Sequence, residues 1–351
     1  MAFRRHVQYG AFATCTNAGK LVYGARKRYN MPACRVLRHV FPEPRSQYMR
    51  VLVLGGTGLI STPIVDQLIK SNHDPVVFNR GETPSRSNAD VETVHGDRND
   101  FDAFEAAIAE IKPDVVIDML TFDSRTAENA VSVFKKHPVK HYLFCSAAAV
   151  YGRLDQIPAT ESEPHKSKSP YGRNKSEAEH VFVQALEQDQ FPVTVLRPAH
   201  AYGPGQTLPS LWGYDACLVS RIRTDKAVFV PGDGYGAFQL MYCDDIASAF
   251  VEAIGVSNTL GQIYNIAPEE TVDWHTYLTT VASLLNKEAN LMPVTTNLLI
   301  AGAPPEASAL LEEFYQYPMA YNSDLFRSHV PSWNASTPLS VGLQRTLDWM
   351  G

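Results

Sequence analysis

Val51-Leu52-Val53-Leu54-Gly55-Gly56-Thr57-Gly58-Leu59-Ile60-Ser61 is an apolar run that breaks into glycines, and the chain resumes as Pro63-Ile64-Val65-Asp66-Gln67-Leu68-Ile69. Strand, tight turn and helix N-terminus follow one another. Such a turn lets backbone N–H groups approach a pyrophosphate, and the positive end of the helix dipole favours the anion. The expected cofactor contacts here are Gly55, Gly56, Thr57, Gly58, Leu59 and Ile60. The third fingerprint glycine is Ser61, a small residue where helix and strand pack closely. A glycine-rich turn without a ligand is the plain alternative, so the decision rests on what surrounds the stretch.

Outward from it, strand-like runs at 50–54, 75–78, 114–118, 141–145 and 193–196 alternate with helical periodicity at 62–70, 101–111, 125–136 and 171–187. This rhythm predicts an α/β fold, a doubly wound parallel sheet buried on both faces. Beyond residue 199 the pattern is irregular, with loops marked by Pro204-Gly205, Pro209 and Pro231-Gly232-Asp233-Gly234. Helical stretches follow near 244–254, 273–286, 305–315 and 338–350. The expected organisation is a Rossmann domain of residues 49–198 with a return segment 235–267, and a smaller substrate domain of 199–234 and 268–351.

The 351 residues carry a net charge of −6, with 45% hydrophobic and 19% charged residues, an ordinary globular balance. Residues 1–48 hold nine Lys or Arg against one acid, Glu43, about +8, leaving about −14 for the body. An acidic body argues against nucleic acid as a partner. No apolar run reaches the roughly 18 residues of a membrane span. The extension 1–48 reads as an Arg-rich, acid-poor mitochondrial transit peptide or as sequence upstream of a natural start at Met49. Cytoplasmic placement is expected, or mitochondrial if the transit peptide is real. The five cysteines lack ligand spacing, so neither a disulfide framework nor a metal site is expected.

The second strand ends Phe78-Asn79-Arg80-Gly81, where an NAD site usually puts a carboxylate on the ribose. The acid is missing and Arg80 stands in its region, so NADP is preferred over NAD. Asp97, in His95-Gly96-Asp97-Arg98, could accept from an adenine amine, and Arg98 joins it as an expected contact. In Ser169-Pro170-Tyr171-Gly172-Arg173-Asn174-Lys175, Ser169 caps a helix and Pro170 suits its first turn, placing Tyr171 and Lys175 on one face. A phenol with a pKa of about 10 must lose roughly three units to work near neutrality, about 4 kcal/mol. An ammonium about 4 Å away supplies that at an effective dielectric near 20. Tyr171 is therefore the expected acid–base group and Lys175 its partner.

Together with Cys145-Ser146-Ala147-Ala148-Ala149-Val150-Tyr151-Gly152, Arg197-Pro198-Ala199-His200-Ala201-Tyr202-Gly203-Pro204-Gly205, Asp244-Asp245-Ile246-Ala247 and Tyr264-Asn265-Ile266, these motifs resemble the extended short-chain dehydrogenase/reductases, the NAD(P)-dependent epimerase/dehydratase family. The resemblance runs from about 50 to 267. It implies a Rossmann domain binding NAD(P), catalytic Tyr171, Lys175 on the nicotinamide ribose, and Arg197 among the cofactor contacts. A homodimer is common in such a family.

The chain also departs from that pattern. The family's catalytic Ser or Thr falls at Ala147. Ser146 is one residue off and reaches the site only through a local bulge. His200 stands where sugar-nucleotide members carry Asn, and Phe238 where they carry Arg; losing the guanidinium fork disfavours a diphosphate. Ala147, His200, Trp212, Tyr214 and Phe238 are the expected substrate contacts, around a small, largely apolar or aromatic carbonyl or hydroxyl compound. Three readings stay open: an NADP-dependent oxidoreductase or epimerase-like enzyme, a catalytically impaired scaffold or relative of the chloroplast stem-loop RNA-binding proteins, and a nucleotide-sugar epimerase or dehydratase.

Overall fold

The computed structural model describes residues 48–303 and 305–351, the side chains of 305–307 excepted. The basic extension, apart from Tyr48, lies outside the described residues, and the question of a transit peptide with it. Seven parallel strands, β1 (Arg50–Leu54), β2 (Asp74–Asn79), β3 (Glu92–His95), β4 (Val115–Asp118), β5 (His141–Cys145), β6 (Val193–Pro198) and β7 (Ile263–Ile266), lie in the order 7-6-5-4-1-2-3. The register across the middle pairs Val53 with Val77 on one side and with Ile117 on the other. The order reverses between β1 and β4. Open α/β sheets bind ligands at such a switch point, beyond the carboxyl ends of the strands.

Alternation sends successive strand residues to opposite faces. Val51, Val53, Ile117, Leu143 and Leu196 face one core, and Leu52, Leu54, Val116, Tyr142 and Phe144 face the other. α1 (Ser61–Lys70) buries Ile64, Val65 and Leu68 in the first. α2 (Phe101–Ile111), α3 (Ser124–Lys136) and α4 (Pro170–Asp189) bury Phe104, Phe134 and Phe182 in the second. Asp100, Asp123 and Ser169 cap these three helices, accepting from the backbone N–H groups of Ala103, Thr126 and Gly172. α1 is the exception, because its cap position is Ile60, which has no acceptor to offer.

The elements expected from periodicity are present within a few residues of their predicted ends. The stretch beyond 199 is less irregular than expected: 200–202 pairs in parallel with 240–242, and 228–231 with 291–294. No helix among the described residues is long and apolar enough to cross a membrane.

Candidate active site

The glycine turn sits at the switch point. Gly55 and Gly56 adopt φ of +120° and +86°, open to glycine at little cost. A Cβ at Gly56 would stand 2.5 Å from Val77 Cγ1. The Gly58 N–H donates to Ser61 Oγ at 2.8 Å, so the hydroxyl in the third-glycine position secures the turn itself. A cleft of about 340 Å³ opens beside it, lined by Gly55, Thr57, Asn79, Arg80, Asp97 and Leu120 among others. Asn79 donates to the Gly55 carbonyl at 3.3 Å and accepts from the Gly81 N–H at 2.8 Å, so the end of β2 presents a neutral amide. Arg80 is exposed and pairs with Glu82 at 2.8 Å. Arg98 also borders the cleft, but its guanidinium turns inward to Asp118 at 3.1 Å and Thr121 Oγ1 at 2.8 Å.

Sequence reasoning missed Arg86. Its guanidinium donates to the Gly58 carbonyl at 2.7 Å, to Thr62 Oγ1 at 3.2 Å and to the Pro204 carbonyl, tying the β2–β3 connection to the glycine turn and to the loop after β6. Nothing in the local pattern of Ser85-Arg86-Ser87 marks that long-range role.

Tyr171 and Lys175 share the first turns of α4, with different surroundings. Lys175 is 2% exposed and donates to the carbonyl oxygens of Thr121 and Cys145, both at 2.7 Å, beneath the Phe122 ring. Burial lowers its pKa. Tyr171 keeps 47% of its surface open beside a second cavity. Apolar walls desolvate its phenol and push the pKa up, with the Cys145 and Tyr214 charges adding to the rise. The expected lowering by Lys175 therefore does not appear in the protein alone; the ammonium commits two of its three donors to carbonyls.

Two further expected residues commit their polar groups elsewhere, although Ser146 also borders the second cavity. Ser146 is 1% exposed and its hydroxyl donates to Glu179. Arg197 commits all five N–H donors: to Glu179, to the Tyr151 hydroxyl at 2.7 Å, to the Glu161 carbonyl at 3.2 Å and to His165 at 2.8 Å. No donor is left for a cofactor, which corrects the expectation drawn from the motif.

The second cavity measures about 770 Å³ and is bordered by Ala147, Tyr171, His200, Tyr214 and Tyr315 among others. No Asp, Glu, Lys or Arg stands among its described lining residues. His200 is desolvated to a pKa of about 4 and is therefore neutral at physiological pH. Leu59 and Ile60 border this cavity, whereas Thr57 borders the smaller cleft, so the glycine turn connects the two. Trp212 and Phe238 do not border it. Trp212 packs against the core, and Phe238, 3% exposed, packs on Trp274 with centroids 4.9 Å apart and the rings tilted by 36°. The next residue, Gln239, reaches the cavity instead. The wall supplied by Leu310, Phe314 and Tyr315 was foreshadowed only by the apolar spacing of 305–315. No cluster of metal-ligating side chains occurs among the described residues.

Comparison with known proteins agrees with this fold. The model of the family described as NAD dependent epimerase/dehydratase matches residues 51–267. The chain is 25% identical over 291 residues to 2'-dehydrokanamycin reductase of Streptomyces kanamyceticus, covering 83% of this chain and 82% of that protein. It is 27% identical over 241 residues to the chloroplast stem-loop binding protein of 41 kDa b of Arabidopsis thaliana, covering 65% of this chain and 61% of that one. Among solved structures, dTDP-glucose 4,6-dehydratase from Bacillus anthracis, in complex with NAD, superposes with a TM-score of 0.70 at 21% identity, covering 86% of this chain and 96% of the other.

Proposed function

Because this chain belongs to the NAD dependent epimerase/dehydratase family, we propose that it is an NADP-dependent oxidoreductase or epimerase-like enzyme acting at a hydroxyl- or carbonyl-bearing carbon of a small, neutral metabolite. The observation that carries this reading is the cavity itself: Tyr171 borders about 770 Å³ of space in which no described side chain holds a fixed charge. A diphosphate-bearing substrate would be buried there without a counter-charge, at a cost of several kcal/mol per ion. The nucleotide-sugar alternative is accordingly weakened. An aromatic or apolar carbonyl compound meets tyrosines, alanines and leucines.

The cofactor half fits a dinucleotide. Gly55, Gly56, Thr57, Gly58, Leu59 and Ile60 would receive the diphosphate at the uncapped N-terminus of α1, Asp97 the adenine, and Arg80 the 2′-phosphate that the neutral Asn79 does not repel. The bound nicotinamide supplies or accepts the hydride. Tyr171 holds the proton that moves to or from the substrate oxygen. Its raised pKa in the protein alone favours the protonated, donating form that reduction needs. Lys175, anchored on two carbonyls, would meet the nicotinamide ribose while remaining beneath Phe122.

A scaffold or RNA-binding role is a second reading, favoured by Ala147 in place of the usual hydroxyl and by the similarity to the stem-loop binding protein. One experiment separates the two. Purified protein is titrated with NADPH and NADH by nicotinamide fluorescence, and NADPH oxidation is then followed with a panel of neutral carbonyl compounds. NADPH binding with turnover supports the enzyme; binding without turnover of any compound supports the scaffold.

A further inference from the structure

The missing hydroxyl at Ala147 leaves the cavity without the group that would polarise a substrate oxygen alongside Tyr171. The lining of the same cavity holds a pair of polar side chains. His200 Nδ1 lies 3.3 Å from the Tyr315 hydroxyl, with the two rings nearly parallel at an interplanar angle of 8°. Tyr214 closes edge-on against the same imidazole, centroids 5.5 Å apart, and its hydroxyl is held by the Ala201 carbonyl at 2.7 Å. All three residues border the same cavity as Tyr171.

We infer that the Tyr315–His200 pair supplies the hydrogen bond to the substrate oxygen that Ala147 cannot, His200 touching the oxygen and Tyr315 acting as its positioning residue. This rests on the enzymatic reading above.

The chemistry of the pair sets its direction. A phenol is the stronger acid and a neutral imidazole nitrogen the stronger base, so the Tyr315 O–H donates to Nδ1 and the proton of the ring is fixed on Nε2. No described residue partners Nε2, which is thereby left as a donor for a ligand in the cavity. Desolvation keeps both groups uncharged, the imidazole below its ordinary pKa and the phenol above it, so the pair is a fixed dipole at physiological pH. A preorganised neutral donor suits an oxygen that becomes negative only during reaction. The pair exchanges no atom with the substrate. The bond of 3.3 Å is long, as catalytic hydrogen bonds often are before a site is filled. Tyr315 also comes from the segment past residue 305, outside the family match at 51–267 that contains His200, so the positioning residue and the Rossmann scaffold are separate parts of the chain.

The test uses the full chain, NADPH, and phenanthrenequinone as a neutral aromatic dicarbonyl probe, with wild type, Tyr315→Phe, and Tyr315→Phe combined with Ala147→Ser. The expected result is a kcat lowered about tenfold or more in Tyr315→Phe with KM within about twofold, and a substantial recovery when Ala147→Ser restores a hydroxyl at that position of the cavity lining. Nitrogen-15 spectra of labelled histidine should show His200 neutral with its proton on Nε2 in wild type and a mixture of tautomers in Tyr315→Phe. An active wild type with unimpaired Tyr315→Phe, or an impaired Tyr315→Phe that keeps the Nε2–H tautomer and gains nothing from Ala147→Ser, overturns the inference alone. A wild type that binds NADPH but reduces neither the probe nor any other carbonyl overturns the enzymatic reading and the inference with it.

Discussion

The Ser146 hydroxyl donates to the Glu179 carboxylate, which also accepts from Arg197 Nε at 3.0 Å, and all three residues are at most 3% exposed. Replacing Glu179 by Gln should cost about 3–5 kcal/mol, because Arg197 is left buried without its counter-charge. Ser146→Ala should cost about 1–3 kcal/mol and leave turnover per folded molecule nearly unchanged. Urea unfolding alongside steady-state rates checks both; a Ser146→Ala enzyme of normal stability and lost turnover would return Ser146 to the chemistry.

Gly56 carries the strictest steric demand of the turn. Alanine there places a methyl 2.5 Å from Val77 Cγ1 at a φ of +86°. The expected outcome is a stability loss of at least about 1–3 kcal/mol with NADPH affinity weakened more than tenfold, measured by thermal melting and fluorescence titration.

Arg80→Ala tests the choice of nucleotide. A lost charge-assisted contact to a 2′-phosphate should weaken NADPH by about tenfold or more while NADH stays within about twofold. Equal effects on the two nucleotides would assign Arg80 to its Glu82 pair alone.

His141 gives a pH dependence that needs no ligand. Thr194 Oγ1 donates to the Thr259 carbonyl, so it accepts from His141 Nε2–H at 2.7 Å, and the bare Nδ1 is buried without a partner. Burial lowers the pKa from 6.5 to about 4. Below 6.5 the unfolded chain takes up a proton that the folded one refuses, so stability falls as pH drops from 6.5 towards 4. The loss attributable to this group is about 2 kcal/mol by pH 5. Comparing urea midpoints at pH 7 and pH 5 in wild type and His141→Gln isolates it; the variant should show the smaller change.

The alternating strand and helix patterns and the glycine turn made the sheet legible before any coordinates, because local periodicity and backbone constraints write those features into neighbouring residues. The cleft beside the glycine turn was legible for the same reason: Asn79, Arg80 and Asp97 sit at the ends of predictable strands or just beyond them. The lining of the larger cavity was not. Phe238 and Gln239 differ by one residue, yet one packs on Trp274 and the other borders the cavity, a choice made by the pairing of 238 with 272 rather than by sequence pattern. Arg197 looked like a ligand contact, but Glu179, one α4 turn beyond Lys175, engages it. Tyr315 and Arg86 act across more than 100 residues, and no short motif announces either.

The central claim is that Tyr171 moves the proton while the rest of the site holds NADPH. Its most direct test is Tyr171→Phe, with NADPH affinity by fluorescence titration and NADPH oxidation by stopped flow on the same carbonyl substrate. The account predicts unchanged affinity within about twofold and turnover slowed by about 10²–10⁴; a Phe variant that binds NADPH and turns over as fast as wild type would contradict it.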